Sequence, residues 1–238
     1  MFRSIIYQPL YNIFILLAAW LPFFDAGTIV IIFTFLVRII LYPLSKKAYL
    51  SQIEMRKLQP KLEAIKAKHG NDKEAQAKKL MEAYKESKTN PFSGILVMFL
   101  QIPVILALYY ILVSSGLPNV NESLIYSFTP HPGSIVMSFL GFDLLSDKNA
   151  VLALLAGLTS YLQIHFSSIS QGTLPSGGNN ALARMMKIQM KVMFPIIAFV
   201  ISWQIGGVVG LYWTATNVFS ILQDVYLKKK FAAKILNA

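Results

Sequence analysis

Arg38 lies inside an apolar run, Thr28 to Leu44 (TIVIIFTFLVRIILYPL), that carries no acidic residue. A guanidinium stays charged in any protein setting. At the centre of a spanning helix it costs roughly 2.5–3.5 kcal/mol on insertion scales. The chemistry it offers is therefore electrostatic: a fixed cation that can attract an anion at membrane depth. The alternative is snorkelling, because Arg38 stands six residues before Leu44, about 9 Å of helix, and its side chain can lean that far toward the interface. Thr34, four residues earlier, shares its helix face. Gln101, Gln163, Gln204, Thr214 and Asn217 add uncharged polar groups from other apolar runs. Together they predict a wet interior face; the competing reading is that each amide or hydroxyl bonds a neighbouring helix, worth only about 0.6 kcal/mol. The nearest acid, Asp224, stands at the cytoplasmic end beside Lys228. The expected partners of Arg38 are water, backbone carbonyls and an arriving substrate.

Other chemistries fall away. The chain has no cysteine, which removes disulfides, thiolate catalysis and Cys-based metal sites. His69, His131 and His165 are scattered without H-x-x-x-H or H-E-x-x-H spacing, so no metal is expected. No G-x-x-x-x-G-K-[ST] occurs, and an ATPase motor is excluded from this polypeptide. With only dispersed His, Ser and Asp, no catalytic constellation forms. The expectation is a chain that is not an enzyme, with no cofactor and no small-molecule substrate.

The elements that position Arg38 are membrane helices. Apolar residues make up 55% of the chain and mean hydropathy is +0.54, while the charges crowd into blocks. The predicted fold is all-α and polytopic, a five-helix transmembrane core with spans at about 28–44, 95–113, 150–166, 188–205 and 208–227. The last two spans are separated only by Gly206, Gly207 and Gly210, which implies a hairpin with a very tight turn. Residues 1–27 form an N-terminal segment whose stretch Ile5 to Phe24 is broken by Pro9 and Pro22 and dotted with Tyr7, Gln8, Tyr11, Asn12 and Trp20. That pattern predicts an interfacial helix, with a sixth span as the alternative.

Orientation follows from basic residues. Ser45 to Asn90 holds twelve Lys and Arg, the Ala181 to Lys191 region at the end of the loop 167–187 holds Arg184, Lys187 and Lys191, and Lys228, Lys229, Lys230 and Lys234 lie at the end. These belong in the cytoplasm, whereas 114–149 has only Lys148 beside Glu122, Asp143 and Asp147 and is the outer loop. Within 45–90, Met55, Leu58, Leu62 and Ile65 predict one helix face, with Pro60 kinking it. Gly70, Asn71 and Asp72 supply a turn, and Ala75, Ala77, Leu80, Met81 and Tyr84 predict a second face. This cytoplasmic helical hairpin presents either a solvated surface or a docking surface for ribosomal RNA, lipid headgroups or a nascent chain. The loop SSISQGTLPSGGNN at Ser167 to Asn180 reads as a flexible connection, and 231–238 is a short basic tail.

The runs TFLVRIILYPLSKKAYLSQIEMRKLQP, NPFSG at Asn90 to Gly94, LQIPVILALYYIL and GLYWTATNVFSILQ resemble the YidC family of membrane protein insertases, over roughly Thr28 to Lys230. The resemblance implies a hydrophilic groove open to the cytoplasm and the lipid and closed to the outside, with the family's groove arginine at Arg38. It implies nascent membrane proteins and the bilayer as partners, with the Sec translocon and the ribosome, the latter bound weakly through so short a tail, as further ones. Gln204 to Gly210 (QIGGVVG) stands where the family usually has Pro-x-Gly. No large periplasmic domain, lipoprotein cysteine or transit peptide is evident, so a bacterial plasma membrane is expected. A small-solute channel or transporter is the alternative, but it would be expected to show an internal repeat or matched broken helices, and neither is visible.

Overall fold

Asp25 and Pro43 bracket the helix that carries Arg38. In the computed structural model, which describes residues 3–70, 72–87, 103–115, 117–143, 148–166 and 181–231 (backbone alone at 113–114 and 181–190), this helix is α2, Ala26–Ile40. It follows α1, Gln8–Trp20, with its π-helical lead Arg3–Tyr7. The Asp25 carboxylate accepts from Thr28 N at 2.8 Å, an N-cap that satisfies one orphan amide. At the other end Pro43 cannot extend α2, because its ring would meet the carbonyl four residues back and it has no N–H. It sits instead in the first turn of α3, Tyr42–Lys68, where the missing N–H costs nothing. The axis bends there by 59°. The expected straight span over 28–44 is thus corrected: Arg38 occupies the last turn of a helix of 15 residues.

The hairpin is formed by α3 and α4, Lys73–Glu86. Asp72 caps α4 by accepting from Ala75 N at 2.9 Å. Leu58, Leu62 and Ala83 are its buried core, flanked by Ile65, Leu80 and Tyr84. Met81 and Ala77 are exposed, so the second predicted face is rotated toward Ala83. α3 is one continuous helix through Pro60.

Beyond the hairpin come α5, Pro103–Leu112, running into a π-helical turn at Tyr110–Ser114, then α6, Ala150–Phe166, α7, Ala181–Ile205, and α8, Gly207–Lys230. The part of the predicted second span before Pro103, and Gln101 with it, lies outside the described residues. α7 begins at Ala181, inside the stretch expected to be loop. Only Gly206 separates α7 from α8, with φ 131° and ψ 166°, a conformation open essentially to glycine alone. The hairpin expected there is present.

Small residues let these helices approach closely. A Cβ on Gly210 would meet the Leu152 backbone at 2.9 Å, and one on Gly157 would meet the Pro195 carbonyl at 3.2 Å. Such contacts are the ordinary way apolar helices pack where lipid offers no hydrophobic drive. Asn217 Nδ2 donates to Thr159 Oγ1 at 3.1 Å and Ser160 Oγ at 2.9 Å, and Lys228 Nζ donates to the Phe166 carbonyl at 2.6 Å. These contacts put α6 and α8 side by side and parallel.

α1 belongs to the main core. Tyr11, Phe14 and Ile15 are fully buried against α2, α5 and the segment 117–143. Asn12 is saturated: its Nδ2 donates to the Gln8 and Leu124 carbonyls, and its Oδ1 accepts from Tyr126 N and Thr129 Oγ1, all at 2.8 Å. Ala26 N donates to the Val136 carbonyl at 2.8 Å. A two-stranded ribbon, β1 Ser138–Phe139 and β2 Phe142–Asp143, turns through Leu140 and Gly141. Phe139 rests on Gly27, where a Cβ would come within 2.2 Å of it. Among the described residues no single helix is long and apolar enough to cross a membrane, although the bent pair α2–α3 passes that test jointly.

Candidate functional site

Two aromatic contacts set the level of Arg38. Phe35 meets Phe219 edge-on at 5.2 Å and Tyr42 meets Tyr226 at 6.4 Å, the same step of seven residues along each partner. α2 and α8 are therefore parallel neighbours, and Arg38 is level with Leu222. The arginine is half-buried. It stands in the last turn of α2, where the helix dipole favours a cation. Tyr212 and Asp224, both on α8, act on it electrostatically. Asp224 is about 3 Å further along the axis than Leu222, at 1.5 Å per residue.

Around Arg38 a polar stripe runs down α8. Thr216, Ser220, Gln223 and Asp224 recur at helical spacing and so share one side of the helix. Gln52, on α3, reaches the same region, because Tyr49 and Ile53 pack on Leu227. Gln52 Oε1, Thr216 Oγ1 and Gln223 Nε2 are buried without a protein hydrogen-bond partner, as are Ser202 Oγ and Thr214 Oγ1. Buried polar atoms in proteins are otherwise nearly always bonded, and groups like these call for water or a polar guest.

The predicted site residues divide. Thr34 is buried and its hydroxyl donates to the Val30 carbonyl at 2.7 Å, within its own helix. Asn217 bridges α8 to α6 as described. Gln163, half-buried, lies on α6 between the Asn217 and Lys228 bridges, at the level of Asp224. Thr214 is half-buried on α8, nearer the Gly206 turn. Gln204 is exposed beside that turn, and fifteen residues of α8, roughly 22 Å, separate Gly207 from the level of Arg38. It is not brought to the arginine. Thr216, Ser220, Gln223 and Gln52 were missed. The four-residue and three-residue steps from Thr216 to Gln223 are the signal that could have found the first three.

A family model described as 60Kd inner membrane protein matches residues 17–234. The chain belongs to this family. The 60Kd inner membrane protein relatives include the membrane protein insertase YidC of Fusobacterium nucleatum, 34% identical over 206 residues that make up 87% of each chain. The membrane protein insertases YidC of Ectopseudomonas mendocina and Francisella philomiragia are each 32% identical, over 214 and 234 residues. Those matches cover 89% and 98% of this chain but 32% and 36% of the relatives, so the chain spans about a third of their length.

Proposed function

We propose that this member of an insertase family carries newly made membrane proteins into the bacterial inner membrane through a hydrophilic groove lined by α2, α3, α6 and α8. The observation that carries the reading is Arg38: a half-buried cation in an apolar helix, beside a stretch of α8 where Thr216 Oγ1 and Gln223 Nε2 are buried without a protein hydrogen-bond partner. In such a groove the positive charge attracts acidic residues in the short outer segment of a substrate, and local water lowers the cost of moving polar backbone inward. The substrate's apolar helix then leaves sideways into lipid, driven by burial of apolar area. Nothing is hydrolysed, and the chain is not an enzyme.

The topology assigned is five crossings from outside to inside, multi-pass, with a cytoplasmic C-terminus. The parallel course of α2, α6 and α8, with α7 returning between the last two, supports it. α2 has 15 residues and α6 has 17, roughly 22 and 26 Å at 1.5 Å per residue against a hydrocarbon core of about 30 Å. Helices this short favour a locally thinned bilayer. α1 is tied to the segment 117–143 through Asn12, and the start of α2 that follows it through the Ala26 amide, which supports α1 lying along the outer interface.

The test is reconstitution of the purified chain in liposomes, with protease protection of a small single-span protein as readout. Insertion above that of empty liposomes is expected, with no solute flux. Flux without insertion would favour a channel or transporter.

A further inference from the structure

The corner where α1 hands over to α2 leaves large apolar side chains exposed. Phe23 is 98% exposed, in a turn where the Phe24 amide donates to the Leu21 carbonyl at 3.1 Å, and Trp20 and Phe24 are exposed beside it. The two-stranded ribbon comes to the same place. Ala26 N donates to the Val136 carbonyl at 2.8 Å and Phe139 rests on Gly27, so Val136, Leu140 and Phe142, all exposed, are held at the same end of α2 as Phe23 and Phe24. Leu140 is the informative one. It is 78% exposed with φ at +48°, and Gly141 follows at +83°. A two-residue hairpin turn with both φ positive favours Asn-Gly or Asp-Gly, and a leucine in that conformation is strained. In water this tip would carry the strain and the bare apolar surface together.

Clustered apolar surface of this kind marks an interaction site, and its occupant follows from what adjoins it. From this corner α2 continues with Ile31, Phe35 and Ile39, exposed at four-residue steps and so on one side, a stripe suited to hydrocarbon. The corner is continuous with that stripe at its outer end, the level where aromatic and large aliphatic residues sit in the headgroup region. No Lys or Arg occurs from 4 to 37 or from 89 to 147, so the corner has no cation for an anionic partner.

We propose that this corner, Phe23 and Phe24 with the ribbon tip at Leu140, is a lipid anchor seated in the headgroup–acyl boundary of the outer leaflet, and that it fixes the depth of α2. The proposal rests on the membrane placement given above. The Ala26–Val136 bond joins the ribbon to the first turn of α2, so whatever holds the tip holds the helix. Arg38 then stands twelve residues below the anchor, about 18 Å, past the middle of a hydrocarbon core of about 30 Å.

The chain has no cysteine, so single cysteines take an environment-sensitive dye cleanly. Phe23→Cys, Leu140→Cys, Ile31→Cys on the apolar stripe and Ser134→Cys, exposed on the same outer segment, are made in the whole chain in vesicles of phosphatidylethanolamine and phosphatidylglycerol. Labels at 23 and 140 are expected to be quenched several-fold more by lipids brominated near the headgroup than by aqueous iodide. The label at 134 should show the reverse, and the label at 31 should respond to bromines deeper in the chain. Phe23→Asp with Leu140→Asp should shift the label at 31 toward the shallow bromines. Leu140→Asn separates anchoring from folding: Asn takes positive φ more readily, so the melting temperature in detergent should hold or rise while lipid quenching at 23 falls.

Iodide quenching at 23 and 140 equal to that at 134, with the label at 31 in lipid, would overturn the proposal. So would labels shielded from iodide and lipid alike, which would mean that a protein chain covers the corner, or an unmoved label at 31 in the double variant. A label at 31 that itself lies in water would refute the membrane placement and the anchor with it. If the Leu140 variants fail to fold, the melt reveals it and the almost fully exposed Phe23 decides alone: a label there within reach of iodide overturns the anchor.

Discussion

Two physical accounts of Arg38 separate on charge. As a cation in a hydrated groove it needs only its charge, so Arg38→Lys should retain much of the insertion activity, while Arg38→Ala should impair substrates with acidic outer segments and spare those without. As a snorkelling side chain it is a costly group, and removing it should hold or raise stability and leave every substrate unaffected. The measurement is insertion of one substrate with Asp or Asn in its outer segment by each variant. Equal loss for both would leave Arg38 a structural or hydration role, and no loss for either would defeat the electrostatic account. Arg38 was legible in the sequence because one fixed charge in an apolar run has few explanations. Thr34 was less so: a hydroxyl on the right face can always turn to its own helix, as its bond to the Val30 carbonyl illustrates. Gln223 and Thr216 look like ordinary minor polar residues of a mainly apolar helix until their atoms are seen to be buried without partners.

Helices and their breaks were legible where one residue type forces the backbone. The Gly206 turn is of that kind, and so is the α3–α4 turn at His69 and Gly70. Pro43 is too, but hydropathy runs straight across it, which is why a single span over 28–44 was expected where a 59° bend exists. Asn12 escaped for the opposite reason. A polar residue beside aromatics in a short apolar helix suggests the headgroup region, yet its side chain is buried and pins the loop at Leu124, Tyr126 and Thr129. Asn12→Leu should therefore destabilise the protein by about 3 kcal/mol, since it leaves several buried loop groups unbonded. A thermal melt, with proteolysis of the 117–143 segment, checks it, and an unchanged melt would mean that the loop is held by its apolar contacts alone. The hairpin has its own small core of Leu58, Leu62 and Ala83, separate from the main one, while Tyr49 and Ile53 anchor the root of α3 on Leu227. Deleting Met55 to Tyr84 should accordingly leave the membrane core folded and abolish insertion if the hairpin receives substrates. Full insertion by a stably expressed deletion would show that it does not.

At the scale of the molecule, the charge of +11 is unevenly spread, and this decides how the chain meets large anionic partners. Lys46 lies 5.8 Å from the Phe231 ring and Lys230 lies 5.4 Å from the Tyr226 ring. The root of α3 and the end of α8 thus gather their lysines at one corner. The hairpin carries more, but its exposed surface includes the pairs Lys61–Glu86 and Lys79–Glu82, both at 2.6 Å, which consume charge locally and add little stability. What is left for RNA is a modest basic surface with few exposed aromatic side chains for stacking, so ribosome binding should be weak and almost wholly electrostatic. With about four phosphate contacts, affinity should fall roughly a hundredfold between about 50 and 200 mM salt. Co-sedimentation of liposome-bound protein with ribosomes across that series measures it. Binding that stays tight at the high-salt end would require an apolar docking surface near these lysines. The exposed Met81 of α4 would then be the first residue to change to a charged one.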